Sequence, residues 1–216
     1  MNSSSAMREP SDRLSLIYVG VSKIYRGYLA IIAIALLILV PIMVFAPGST
    51  SIMVLVKNVA FFQFLGLLIM LPVMYRYIYK GFASLAVADK RTYGIGKIGA
   101  LGLLAINTMA IGEYLYIMVA TSLKSLTLLL MIMISFVLGF TLNLLTMIAL
   151  YRLGNEFIID ELKLGVIGLI IATLLIVIPN LVTIYIGDIM GILSMAGILH
   201  GLNNVRKIIR DRWRNL

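Results

Sequence analysis

The sequence predicts an all-α polytopic membrane protein with about six transmembrane helices and an N-terminal amphipathic helix at the membrane surface. Three observations lead to this fold class. Of the 216 residues, 62% are hydrophobic and only 12% are charged, whereas soluble domains carry about a quarter charged residues. The apolar residues are gathered in long runs of about the 20 residues that one helical crossing requires. The basic residues lie between alternate runs, as in a chain that crosses a bilayer repeatedly.

Residues 1–27 are predicted to form a cytoplasmic tail that ends in an amphipathic helix. Its apolar residues recur at helical spacing: Leu14, Ile17, Tyr18, Val21, Ile24, Tyr25 and Tyr28. Arg13, Lys23 and Arg26 lie away from this stripe. A helix of this kind lies in the membrane interface with its tyrosines among the headgroups. The same pattern also fits a cytoplasmic extension of the first transmembrane helix, so both interpretations stay open.

Six transmembrane segments are predicted within residues 28–202. Their approximate ranges are 28–46, 54–75, 98–120, 126–150, 164–181 and 184–202. The connecting loops are too short for a folded extramembrane domain, and the one over residues 80–97 is expected to lead flexibly into the third segment. Only residues 121–125 separate the third segment from the fourth. These two segments should therefore form a tight antiparallel hairpin.

Residues 164–202 form one apolar block of about twice the length of a single crossing. Pro179-Asn180 and Gly187-Asp188 interrupt it, and proline disfavours helix at the residue before it. Two transmembrane helices, or one kinked helix and a short re-entrant piece, fit this pattern.

Charge favours two helices in this block. With six crossings, Lys57 and Lys124 are the only two of the 18 lysines and arginines on one side of the membrane. The basic side is the cytoplasmic one by the positive-inside rule. We therefore expect a multi-pass protein of the cell membrane with both termini in the cytoplasm and residues 203–216 as a basic tail.

Glu113 is the only acidic residue well inside a predicted transmembrane segment. A central charge in a membrane helix costs about 2.5–3.5 kcal/mol on insertion scales, so its position is informative. Gln63 is predicted at a similar depth and Lys57 enters the same helix from outside, which makes these three residues a candidate intramembrane polar site. The carboxylate either handles a proton or cation, or is a structural acid that is paired or neutral. The absence of a second embedded acid favours the structural role.

Two further sets of residues are candidates for packing between helices. Asn107 and Asn143 lie seven to nine residues from the cytoplasmic ends of adjacent antiparallel segments, where their amides are expected to meet. The last segment carries a stripe of small residues: Gly187, Gly191, Ser194, Gly197 and Gly201. The four-residue spacing of its glycines allows close approach of helix backbones. The neighbouring fifth segment is the expected partner, with a second copy of the chain as the alternative.

The composition argues against most catalytic classes. The chain has no cysteine and one histidine, His200, which removes thiol chemistry and makes zinc or bis-histidine haem sites improbable. No nucleophile–base pair, paired catalytic carboxylates or metal-ligand spacing is evident. We therefore expect a non-enzymatic protein without cofactor or metal. The lipid bilayer is its expected partner, with other membrane subunits or a second copy as further candidates and no nucleic acid.

Several segments resemble a family of archaeal polytopic membrane proteins of unknown function, domain of unknown function 973. The similarity is carried by Tyr151 to Glu156, Leu162 to Ile167, Gly191 to Leu193, Gly197 to Leu199, Lys80 to Phe82 and Tyr93 to Gly96. The resemblance implies an archaeal source and brings no assigned catalytic or binding residues.

The leading functional hypothesis is an accessory or scaffold subunit of a membrane assembly, because polar anchors are present without a convergent site. The alternative is a small oligomeric transporter or channel that uses Glu113. A lipid-modifying enzyme is the weakest of the three.

Overall fold

The computed structural model describes residues 10–45, 51–120, 126–178 and 181–214, and these residues are almost entirely helical. The helices are α1 (Pro10–Phe45), α2 (Ile52–Val73), α3 (Lys80–Ala88), α4 (Lys90–Val119), α5 (Leu126–Phe157), α6 (Asp160–Val177) and α7 (Leu181–Arg214). A π-helical segment, Met74–Tyr79, joins α2 to α3 without a break. The predicted all-α class is confirmed.

Within the described ranges, five helices are long and apolar enough to cross a membrane. They cover Asp12–Ile42, Met53–Ala88, Lys90–Val119, Leu130–Phe157 and Tyr185–Arg214. The remaining helix, α6, has 18 residues and begins with three charged residues within its first four positions, Asp160, Glu161 and Lys163. This multi-pass architecture agrees with the apolar runs of the sequence.

The last apolar block contains two helices, α6 and α7, in antiparallel contact. A Cβ atom on Gly201 would lie 2.5 Å from Leu162 Cβ, and one on Gly165 would lie 2.7 Å from the backbone N of Ile198. Because such distances exclude any side chain, the glycines allow the two backbones to meet. Gly197 packs on Gly165 in the same interface. These glycines of the stripe therefore lie against α6 of the same chain.

The other two glycines of the stripe are Gly191 and Gly187. A Cβ atom on Gly191 would lie 3.8 Å from Ala172 Cβ of α6, and Gly187 is buried. The turn was expected somewhere between Pro179-Asn180 and Gly187-Asp188, and residues 181–188 of that region are helical, since they belong to α7. Pro179-Asn180 lies outside the described residues, as does the predicted hairpin loop 121–125.

Both termini of the described chain lie at one end of the bundle, which we call the basic end. Arg13, Lys80, Arg91, Arg152 and Arg206 lie at this end. Here Arg152 Nη1 donates to the carbonyl of Thr92 at 3.1 Å and Arg206 Nε donates to Ser22 Oγ at 3.1 Å. The opposite end holds Val119 and the first turns of α2 and α7.

The hydrophobic core lies toward the basic end. Its fully buried side chains come from α1, α3, α4, α5, α6 and α7 and include Ile17, Val21, Ile24, Phe82, Leu85, Tyr93, Leu150, Leu153, Leu162, Leu202, Val205 and Ile209. Many of them lie outside the predicted transmembrane segments. The helices thus continue past those segments and pack against one another there.

The structure corrects three expectations about the basic end. First, α1 is one continuous helix, which fits an extension of the first transmembrane helix and not a separate interfacial helix. The apolar stripe that the interfacial interpretation places against lipid is buried against α3, where Ile24 meets Gly81 and Leu85 meets Gly20. Second, residues 80–97 are helical except at Asp89, so the predicted flexible loop does not exist. Third, these helical extensions form a packed layer, which the prediction of short loops had excluded. Buried apolar contacts between helices outweigh the interfacial position that the amphipathic pattern alone allowed.

Candidate functional site

Glu113 of α4 faces α5 in the half of the bundle away from the basic end. Its side chain is 7% exposed, and the hydroxyl of Ser135 in α5 donates a hydrogen bond to Glu113 Oε1. Glu113 lies six residues before the end of α4 at Val119, which is about 9 Å along the helix axis. The embedded acid therefore has a donor on the neighbouring helix.

Ser135 was missed as a site residue although the sequence contains a signal for it. It is the only hydroxyl-bearing residue between positions 128 and 140. The two segments run antiparallel on either side of the short connection at residues 121–125. At equal distances from that connection, Glu113 lies opposite about residue 133. A polar residue at that depth in α5 is the natural donor to the carboxylate, because lipid offers no alternative.

The second carboxylate oxygen of Glu113, Oε2, has no hydrogen-bond donor among the described residues. Within the same residues, every fully buried side-chain nitrogen or oxygen atom does have a partner. Oε2 is therefore not fully enclosed. It can accept a further hydrogen bond from outside the chain.

The predicted cluster of Glu113 with Gln63 and Lys57 is not formed. No ion pair joins Lys57 to Glu113 in the described part of the chain. The contact between Ala60 and Ile117 places Gln63 near the depth of Glu113. Gln63, however, lines a cleft of about 140 Å³ together with α1 residues such as Ile38. The sequence indicates how far along its helix each of these residues lies. Which side chains the residue contacts depends on how the helix is rotated about its own axis.

The two asparagines also lack the predicted contact. Asn107 Nδ2 donates to the carbonyl of Leu103 at 2.7 Å on its own helix. The side-chain Oδ1 of Asn143 accepts from Thr146 Oγ1 at 3.3 Å, and the same hydroxyl donates to the backbone carbonyl of Asn143 at 2.7 Å. The two helices do meet, as the contact of Gly102 with Leu142 shows, but no hydrogen bond joins the two amides among the described residues. Each amide therefore bonds locally.

The basic end holds a polar network that sequence reasoning missed. Arg13 Nη2 donates to Glu156 Oε1 at 2.8 Å and lies 3.6 Å from Asp89 Oδ2. The hydroxyl of Tyr93, a fully buried residue, donates to Glu156 Oε2. The network links α1, α4 and α5 across 143 residues of chain. No local spacing connects these positions, so the sequence carries no signal for it.

Asp89 is the N-cap of α4. Its Oδ1 accepts from Thr92 N at 3.1 Å and its Oδ2 accepts from Thr92 Oγ1 at 2.8 Å. Partial burial raises the pKa of Asp89, but the hydrogen bonds from Thr92 and the charge of Arg13 together outweigh burial and hold that pKa below its ordinary value. The carboxylate is thus ionised where it caps the helix and faces the arginine.

The basic tail packs on the first helix. Arg206 lies over the Tyr25 ring at 5.0 Å from its centroid, in addition to its bond with Ser22. Trp213 packs against Tyr18, with ring centroids 5.5 Å apart. Several side chains of the basic tail are therefore engaged within the bundle. The tail thus closes the packed layer at the basic end.

No cluster of three metal-ligating side chains is present among the described residues. Comparisons with protein-family models, with curated proteins and with solved structures gave no match. The resemblance to the archaeal family stays a prediction. Two features of the structure are therefore candidates for a functional role: the hydrogen-bonded pair Glu113 and Ser135, and the polar network at the basic end.

Proposed function

We propose that the protein crosses the membrane six times, with its basic end in the cytoplasm, and acts as a non-enzymatic accessory or scaffold subunit of a membrane assembly. The sixth crossing is α6. Its 18 residues span about 27 Å, close to the ~30 Å hydrocarbon core, and it packs antiparallel to α7. The positive-inside rule supports the orientation, since nearly all lysines and arginines belong to the basic end.

The surface of α5 carries the argument for an assembly. Eight of the nine residues from Leu130 to Leu138 are exposed, and Ser135, which meets Glu113, is the one that is not. A helix within a bundle normally buries one face against its neighbours. This part of α5 is instead exposed around nearly its whole circumference, and it carries polarizable methionines at positions 131 and 133, which adapt to varied partner surfaces.

The polar pair makes this surface specific. Glu113 Oε2 has no donor among the described residues, and a polar contact in a membrane helix interface contributes about 0.6–2 kcal/mol. Apolar helix faces alone associate weakly, because lipid tails are as apolar as leucine. A partner helix with a hydroxyl or amide donor would therefore recognise α5 beside Glu113.

Site-specific photocrosslinking in native membranes tests the proposal. A crosslinker at Met133 should yield one adduct of defined mass, and the complex should survive purification in mild detergent at fixed stoichiometry. Ile192 of α7, which is 71% exposed, is the matched control position. Equal, diffuse labelling from both positions, together with purification as a lone monomer, would contradict the proposal.

Cysteine labelling tests the topology separately, because the chain has no native cysteine. An impermeant maleimide should label Tyr185→Cys from outside and Asp211→Cys only after permeabilisation. The reverse pattern, with Asp211→Cys labelled from outside and Tyr185→Cys labelled only after permeabilisation, would rule out α6 as a crossing.

Transport is the second candidate, and the accessible Oε2 of the buried Glu113 favours it. In proteoliposomes, Glu113→Gln should then abolish a proton- or cation-dependent flux that Lys57→Gln leaves intact. Absence of such a flux in the wild type rejects this candidate without affecting the crosslinking result.

A further inference from the structure

A groove runs between α3 and α4 at the basic end and has a volume of about 650 Å³. We call it the α3–α4 groove. Its apolar lining comes from Ala83, Ala86, Val87, Ile95, Ile98 and Leu101. Lys90 and Lys97 complete it. The two lysines are seven residues apart on one helix, which puts them on the same face about 10 Å from each other.

Neither lysine is neutralised by a carboxylate in the described structure. Both are exposed, and none of the ion pairs among the described residues includes them. The nearest acid in sequence, Asp89, is held by Thr92 and Arg13. The groove therefore combines an apolar floor with two uncompensated positive charges.

The groove crosses the level at which a membrane surface is expected. Gly96 packs on Phe82, so Lys97 lies near the start of α3, which follows the stacked rings of Tyr75 and Tyr79 directly in the chain. Aromatic side chains of this kind mark the membrane–water interface. On the far side of Lys97 from Lys90, Ile98 is 63% exposed and Leu101 is 54% exposed, as lipid-facing residues are.

We propose that the α3–α4 groove binds one anionic phospholipid, with its phosphate between Lys90 and Lys97 and an acyl chain along Ile98 and Leu101. Basic pockets between transmembrane helices bind anionic headgroups in this way. Gly94 leaves the floor open between the two lysines, since a Cβ there would meet only Lys90 Cγ, at 3.6 Å. The inference needs the membrane location of α4 and is independent of the scaffold function.

Native mass spectrometry of the full chain in detergent tests the site. The probe is dioctanoyl phosphatidate, compared with dioctanoyl phosphatidylcholine. We expect phosphatidate to bind with one tight site, and Lys90→Gln with Lys97→Gln to weaken it about fivefold for each lysine. Lys207→Gln, which removes an exposed charge from α7, should change the affinity less than twofold.

A second pair of variants tests the apolar floor. Gly94→Leu should block the groove and abolish the tight site. Gly112→Leu, on the same helix, has nothing within 4 Å of the added Cβ and should bind like the wild type. Unfolding temperatures of all variants show that the fold is retained.

Three outcomes would overturn the assignment. They are equal binding of phosphatidylcholine, wild-type affinity in the double-lysine or Gly94→Leu variant, and displacement of the lipid by inorganic phosphate at similar concentration. The last result would indicate a site for free phosphate instead of a lipid.

Discussion

The hydrogen bond between Tyr93 and Glu156 should stabilise the fold more than the ion pair between Arg13 and Glu156. Tyr93 is fully buried and its hydroxyl donates to a carboxylate. Hydrogen bonds to charged groups contribute about 1.5–3 kcal/mol. The Arg13 and Glu156 side chains are 41% and 25% exposed, and ion pairs that are open to solvent contribute about 0–1 kcal/mol.

Thermal unfolding in detergent measures this difference. Tyr93→Phe should lower the midpoint by roughly 3–12 °C, taking 2–4 °C per kcal/mol for a chain of this size. Arg13→Gln should lower it by less than about 4 °C. Tyr185→Phe, at a tyrosine that is 66% exposed, is the matched control and should leave the midpoint unchanged.

A double-mutant cycle decides whether the effect belongs to the Tyr93–Glu156 contact. Tyr93→Phe combined with Glu156→Ala should show a coupling free energy of at least about 1 kcal/mol, because neither single variant leaves the bond intact. A coupling below about 0.5 kcal/mol, or a larger loss from Arg13→Gln than from Tyr93→Phe, would refute the reasoning.

Three further predictions concern the backbone and pH. Gly165→Ala should destabilise by more than about 2 kcal/mol, because its Cβ would press on backbone atoms of α7. Gly112→Ala, where the added Cβ lies in open space, should instead stabilise the fold by up to about 1 kcal/mol. Equal shifts of the unfolding midpoint in the two variants would count against the close contact of Gly165 with α7. Ile158→Gly should stabilise by about 1 kcal/mol, because Ile158 has φ of 56° and an 83% exposed side chain; an unchanged midpoint would argue against strain there. Asp89 stabilises the fold in its ionised form, so its contribution is present above its ordinary pKa and is lost as the pH falls through the lowered pKa of the folded state. The unfolding midpoints of wild type and Asp89→Asn should therefore converge in acid, and a constant difference would disprove the role of this charge.

Helix positions were largely predictable, and contacts were not. The five long apolar helices follow the predicted segments because burial in lipid depends on local composition. Their continuation into the basic end was predicted only for α1, as one of two interpretations, since the segments there have ordinary polarity. The stripe of Ile17, Val21 and Ile24 faces protein because α3 lies beside it. The sequence of residues 10–28 alone does not indicate where α3 lies.

The sequence by itself determined that this is a helical chain suited to repeated membrane crossing, and it singled out Glu113 as an acid within a long apolar segment. Only the tertiary structure decided that Ser135, and not Lys57, meets Glu113, and that Arg13 and Tyr93 converge on Glu156. The physical reason is that apolar length and charge are properties of single segments. A hydrogen bond between helices depends on their relative rotation and register, where each residue turns the helix by about 100°. A shift of one residue is therefore enough to change the partner.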